Sequence, residues 1–196
     1  MIEENMAKIQ QISSYLLNVF KGLLVTIPLI TIFQWFFMEV KTTDVGSLIN
    51  FFGLLERIVE TPEGYVNLST VPWTCFTKIL GISSDILGLL PFMLSLWVLK
   101  SIFSNYQKGD IFTATNATHY KKLGWLFFID ALLVKSLSHT VMVLAITLTN
   151  PSGHRYITLQ FGTPNLKALF GGMLVLAISW VMLEASQLYD EQKFTI

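Results

Sequence analysis

Charge is scarce in this sequence: Asp, Glu, Lys and Arg make up 13% of the residues, against about 25% in an average soluble domain. Acidic and basic residues balance to a formal net charge of zero, so there is no basic footprint and direct nucleic-acid binding is not expected. Cysteine is nearly absent. The single Cys75 excludes an intrachain disulfide and a cysteine-based zinc cage, and it reads as a small hydrophobe. His119, His139 and His154 fall in three separate segments and cannot gather around one metal ion. Gly-x-Ser-x-Gly, Walker and His-Glu-x-x-His patterns are missing, and no carboxylate pair is spaced for glycoside chemistry. No catalytic residue, metal site or cofactor is therefore assigned, and the chain reads as non-enzymatic. The first apolar run is followed by no small-x-small cleavage pattern, so the N-terminus is read as retained.

What the sequence has in quantity is apolar surface, 53% of its residues, with a mean hydropathy of +0.57. A soluble chain of 196 residues could not hide it. We read an all-α integral membrane protein, a single membrane domain over 1–196 with four transmembrane helices, each long enough to cross a bilayer core of about 30 Å. The spans fall at 16–38, 79–100, 122–149 and 165–184. An outer loop covers 39–78, a cytoplasmic loop 101–121, a second outer loop 150–164 and a cytoplasmic tail 185–196. Pro28 and Pro91 interrupt the first two spans, and Trp35 suits the outer interface. In the longest loop Leu48, Phe51, Phe52, Leu55, Ile58 and Val59 recur at helical spacing, with Glu56, Arg57 and Glu60 left for a wet face. An outer amphipathic helix between helices 1 and 2 follows, ended by a Pro62-Glu63-Gly64 turn, with a weaker signal for a strand pair near 65–70. Gly171-Gly172 in the fourth span permits close helix approach.

Orientation comes from lysine. Lys100, Lys108, Lys121 and Lys122 cluster around one short connection, whereas Lys41, Arg57, Lys78, Arg155 and Lys167 are dispersed over the other side. Basic clusters between spans mark the cytoplasmic face, so both termini are placed inside. Within that connection Gly109 can take a positive backbone dihedral that ends the second helix, Phe112 offers an apolar anchor, and Thr113 is placed to cap the next helix at Asn116.

These same residues, Tyr106-Gln-Lys-Gly109-Asp-Ile-Phe112-Thr113-Ala-Thr-Asn116, then Lys122-Leu-Gly124-Trp125, and the closing Glu184-Ala-Ser-Gln-Leu188-Tyr-Asp-Glu191-Gln192-Lys-Phe-Thr195-Ile196, carry a resemblance. The chain resembles a bacterial membrane-protein family known as domain of unknown function 2975, over roughly its C-terminal two-thirds. Gly109, Phe112, Thr113, Asn116, Gly124, Glu191 and Thr195 are the positions of its two cytoplasmic signatures. The resemblance implies a multi-pass protein of the bacterial inner membrane and, as a partner, a small helix-turn-helix regulator or other soluble cytoplasmic protein. It implies no catalytic residue.

Charges inside spans are functional candidates by default, at about 2.5–3.5 kcal/mol each at a helix centre. Counting inward at about 1.5 Å per residue places Gln34, Asp85 and His139 in one outer layer, with Lys135 one turn deeper on the same face as His139. A polar cluster of Gln34, Asp85, Lys135 and His139 is expected, with Asp85 facing the two cations, and a separate inner pair of Lys100 and Asp130. A proton-responsive switch, a ligand cavity or pore, and a register-fixing ion pair are all open for the cluster. Two functions follow: a regulatory or scaffolding protein acting through its cytoplasmic face, or a homo-oligomeric channel or small-solute or proton transport subunit using the intramembrane charges. Membrane lipid is a partner in either case.

Overall fold

The computed structural model describes residues 2–37, 57–159 and 165–194. Helix α1 (Ile2–Phe37) is followed by strands β1 (Ile58–Thr61) and β2 (Gly64–Asn67) and a 3₁₀ turn at Leu68–Thr70. Then come α2 (Cys75–Gln107), α3 (Ala114–Ile129), a π-helical segment at Asp130–Val134, α4 (Lys135–Thr147) and α5 (Leu166–Phe194). Four stretches are long and apolar enough to cross a membrane: Met6–Phe36, Cys75–Gln107, Ala114–Thr147 and Leu166–Gln192. Leu29, Phe33, Phe92, Trp97, Met173 and Trp180 are exposed on them, as befits side chains whose solvent is lipid. This is a multi-pass membrane protein.

The expected amphipathic helix between the first two spans is corrected by the structure. Ile58–Glu60, the C-terminal end of that expected helix, lies in β1, which pairs antiparallel with β2 in the register Ile58↔Asn67, Val59↔Val66, Glu60↔Tyr65, Thr61↔Gly64. Its other residues, Leu48 to Leu55 and Glu56, lie outside the described residues. The reason is local. Ile58 and Val59 are β-branched, Pro62 presets the dihedral of a two-residue turn, and Gly64 at φ 118° occupies the left-handed region. Thr61 Oγ1 closes the turn by donating to the Gly64 carbonyl at 2.7 Å. Val59 and Val66, directly opposed, then pack together onto the core rather than along a helical stripe.

The chain divides into two compact units. The first contains α1 up to Thr26, α2 from Leu90, α3 and α5. Its core is Val98, Ile102 and Leu123, with Phe103, Phe127 and Val175 against it. Small residues set the approach of α3 to α5. An added Cβ at Gly124 would stand 2.7 Å from Leu176 Cγ and 3.1 Å from the Gly172 carbonyl oxygen, and one at Gly172 would stand 3.1 Å from Phe127 Cβ. One heptad along, Ser179 Oγ donates to the Ala117 carbonyl at 2.8 Å. Ala117 and Gly124 thus face Ser179 and Gly172 in antiparallel register. Gly171 contributes less, its nearest neighbour being 4.0 Å from an added Cβ.

The second unit contains the end of α1 from Ile27, the hairpin, α2 up to Leu89, and α4. Trp35, Leu68, Val71, Met142 and Ile146 form its core, with Val59, Val66, Trp73 and Ile82 packed on it. Asn67 caps the 3₁₀ turn by accepting from the Ser69 amide at 3.1 Å, and Trp73 Nε1 donates to the Leu68 carbonyl at 2.7 Å. Helix α2 begins in a reciprocal cap: Thr74 Oγ1 accepts from the Thr77 amide at 3.3 Å and Thr77 Oγ1 from the Thr74 amide at 2.9 Å.

Candidate functional site

Asp85 is the centre of the second unit. Its surroundings follow from a close crossing of α2 and α4, where Ser84 Oγ donates to the Ser138 carbonyl at 2.6 Å and Ser138 Oγ to the Ser84 carbonyl at 2.9 Å. Gly88 keeps the crossing open, since a Cβ there would meet Ser138 Oγ at 2.8 Å. Asp85 accepts from three donors. Arg57 grips it with both arms of the guanidinium, Nη2 to Oδ1 at 2.7 Å and Nη1 to Oδ2, and Trp35 Nε1 donates to Oδ2 at 2.7 Å. The Asp85 side chain is 8% exposed and that of Arg57 35%. A carboxylate held in an apolar span is costly without partners, and a bidentate guanidinium is the best-matched one available.

The hairpin is what delivers Arg57. The residue immediately precedes β1, and its carbonyl accepts from the Leu68 amide at 2.9 Å. Trp35 is fixed by packing: it is 1% exposed, stands edge-on to Trp73 at 5.1 Å, and fills the space that any side chain at Gly81 would need. Two cavities open beside the ion pair. One of about 350 Å³ is lined by Thr31, Gln34, Arg57, Asp85, Gly88, Leu89 and Ser138. The other, about 190 Å³, is lined by Arg57, Asp85, Lys135, Ser138 and His139 among others. Gln34 therefore shares a cavity wall with Asp85, and Lys135 and His139 share the second wall with it. The carboxylate itself is bound by Arg57 and Trp35. Sequence reasoning missed both, assigning Arg57 to the wet face of a helix and Trp35 to an interfacial belt. The one signal available was Asp85 itself, a carboxylate in an apolar run that demands a cation.

The first unit carries the second candidate, the connection between α2 and α3. Helix α2 ends in a Schellman motif: the Asp110 amide donates to the Asn105 carbonyl and the Gly109 amide to the Tyr106 carbonyl, both at 3.0 Å, with Gly109 at φ 89°. Thr113 Oγ1 accepts from the Asn116 amide at 3.2 Å and caps α3. Asn116 is fully buried and pins the loop. Its Nδ2 donates to the carbonyls of Asp110 at 2.7 Å and Ile111 at 2.9 Å, and its Oδ1 accepts from Asn105 Nδ2 at 2.7 Å. Tyr106 and Tyr120 hydroxyls bond across the two helices at 2.9 Å. Phe112 is left 46% exposed. A cavity of about 390 Å³ is lined by Met6 of α1, the loop Gly109–Ala114, and Tyr189 and Asp190 of α5.

The remaining expected positions lie elsewhere in the first unit. Gly124 sits at the α3–α5 crossing. Glu191 is exposed near the end of α5, and Thr195 lies outside the described residues. Lys100 and Asp130 are both half-buried, and no ion pair joins them. Among the described residues no group of His, Cys, Asp and Glu is placed to hold a metal ion.

Neither a curated protein nor a solved structure matches the chain. A family model does, over residues 58–196, a stretch that takes in the hairpin and the three membrane-spanning stretches after it. The chain belongs to that family, the proteins of unknown function DUF2975.

Proposed function

We propose that this is a non-enzymatic protein of the bacterial inner membrane, with both termini in the cytoplasm, whose cytoplasmic end docks a soluble protein. The observation that carries the reading is the cavity of about 390 Å³ formed by Met6, the Gly109–Ala114 loop, Tyr189 and Asp190, with Phe112 exposed on the loop. A phenylalanine on a polar connection has no lipid to cover it. The loop beneath is already satisfied by the Schellman bonds and Asn116, so the ring is presented without an ordering cost on binding. A small helix-turn-helix regulator is the partner that the family resemblance favours, and it could enter this site with one amphipathic helix.

The test is co-purification of a small helix-turn-helix regulator with the full-length chain in mild detergent. Phe112→Ala is expected to lower recovery about tenfold, the scale of a lost aromatic anchor, with unchanged helicity. Recovery equal to the parent, or no complex at all, would remove the proposal.

A second reading rests on the two polar cavities beside Arg57 and Asp85, which would suit a homo-oligomeric channel or transport subunit. Asp85→Asn in reconstituted liposomes tests it: altered ion or proton flux at preserved thermal stability supports transport, and unaltered flux leaves the ion pair a structural element.

A further inference from the structure

A groove of about 500 Å³ runs between α2 and α3 in the first unit. On α3 it is lined at helical spacing by Thr118, Lys121, Lys122, Trp125, Leu126 and Ile129, a single stripe. Leu94, Trp97 and Val98 form the α2 wall. Polarity is graded along it. Thr118, Lys121 and Lys122 stand at the end nearest the Thr113 cap, the Thr118 hydroxyl donating to the Ala114 carbonyl at 3.0 Å and the two lysines meeting the groove with their alkyl stems, and every lining residue beyond them is apolar or an indole.

We propose that this groove binds one anionic phospholipid, its phosphate on Lys121 and Lys122 and an acyl chain along Trp97, Trp125 and Ile129. Charge decides the headgroup. Both lysines are exposed, and neither has a carboxylate partner among the described residues. Adjacent positive charges repel unless an anion lies between them. Length decides the tail: from Thr118 to Ile129 is about 16 Å of helix, close to the half-thickness of a bilayer core of about 30 Å. A single leaflet's lipid therefore matches the graded stripe from head to tail. Trp97 and Trp125, 60% and 54% exposed, form the sides that a chain would lie against. Basic recesses between helices at the membrane surface recognise lipid headgroups by this chemistry.

The experiment is native mass spectrometry of the intact protein released from bilayers of equal phosphatidylglycerol and phosphatidylcholine with identical acyl chains. The parent is expected to retain one phosphatidylglycerol in preference to phosphatidylcholine. Lys121→Gln/Lys122→Gln should lower that retention at least about fivefold, whereas Lys108→Gln, which removes a lysine that does not line the groove, should not. Trp125→Ala should lower retention of both lipids. Equal retention of the two lipids by the parent would overturn the proposal without recourse to any variant. So would parent-like retention by the double variant, or an equal loss in Lys108→Gln, which would assign the effect to general surface charge.

Discussion

At the scale of single residues, two buried polar side chains carry the most information, and each makes a separate prediction. Asp85 accepts three hydrogen bonds, from Arg57 and Trp35. Asp85→Ala would leave the guanidinium and the indole N–H unpaired. Complete burial of such a pair would cost about 3–5 kcal/mol on breaking, but Arg57 is 35% exposed, so the expected loss is about 2 kcal/mol. Thermal unfolding in detergent measures it, and Arg57→Ala in the same background should add little, because the two side chains act as one unit. Asn116 is the counterpart in the first unit. Asn116→Ala orphans the Asp110 and Ile111 carbonyls and Asn105 Nδ2, and should cost about 2–3 kcal/mol with faster amide exchange over residues 105–116. Asn116→Asp keeps the acceptor but loses both donors, so it should resemble Ala and not the parent. Asp85 was legible in the sequence as a charge within an apolar run, and so were Gly109 and Thr113, because helix stops and caps are local chemistry. The partners of Asp85 were not. His139 shares its depth and Lys135 lies one turn deeper, whereas Arg57 reaches it only because a hairpin folds, and pairing across 28 residues leaves no periodic trace.

At the scale of elements, the spans declared themselves by length and hydropathy, while two irregular elements did not. The hairpin was masked by apolar residues that also satisfied a helical period, and only the β-branched pair Ile58-Val59 and the Pro62-Glu63-Gly64 turn distinguished the alternatives. The π segment Asp130–Val134 was invisible, since one extra residue per turn changes no composition. Its start is marked by the Asp130 amide, which is shared between the Leu126 and Phe127 carbonyls. Each helix that passes from one unit to the other carries an irregularity near the boundary: Pro28 in α1, Pro91 in α2, and this segment between α3 and α4. Glycines give the sharpest element-level prediction. Gly124→Ala must displace Leu176 and crowd the Gly172 backbone, and should cost about 1–3 kcal/mol by forcing α3 and α5 apart. Gly171→Ala meets nothing closer than 4.0 Å and should be neutral or stabilising by up to about 1 kcal/mol, as a helical glycine replaced without a clash. Melting temperatures of the two variants, one residue type on two faces of the same helix pair, separate packing from propensity.

For the whole molecule, the question that governs every functional reading is which end faces the cytoplasm. The four spans fix the hairpin and the Gly109–Thr113 loop as connections between membrane helices, but they do not orient them. Lysine does. Lys100, Lys108, Lys121 and Lys122 lie around the second connection, and basic residues resist translocation, whereas acidic residues such as Glu60 and Glu63 in the hairpin count for little. The single native cysteine makes the test clean. In a Cys75→Ser background, Glu63→Cys in the exposed hairpin turn should react with a membrane-impermeant maleimide in intact cells, and Lys108→Cys only after permeabilisation. The reverse pattern would place Phe112 and its cavity outside the cytoplasm and end the soluble-partner reading, while leaving the lipid groove intact, because anionic headgroups can be sought in either leaflet. Labelling of both positions in intact cells would mean that the lysine bias is too weak to orient the chain. The expected pattern ties the pinned loop, the exposed phenylalanine and the lysine-lined groove to one cytoplasmic end, where a regulator and an anionic lipid would meet the same helix, α3, within three turns of its cap.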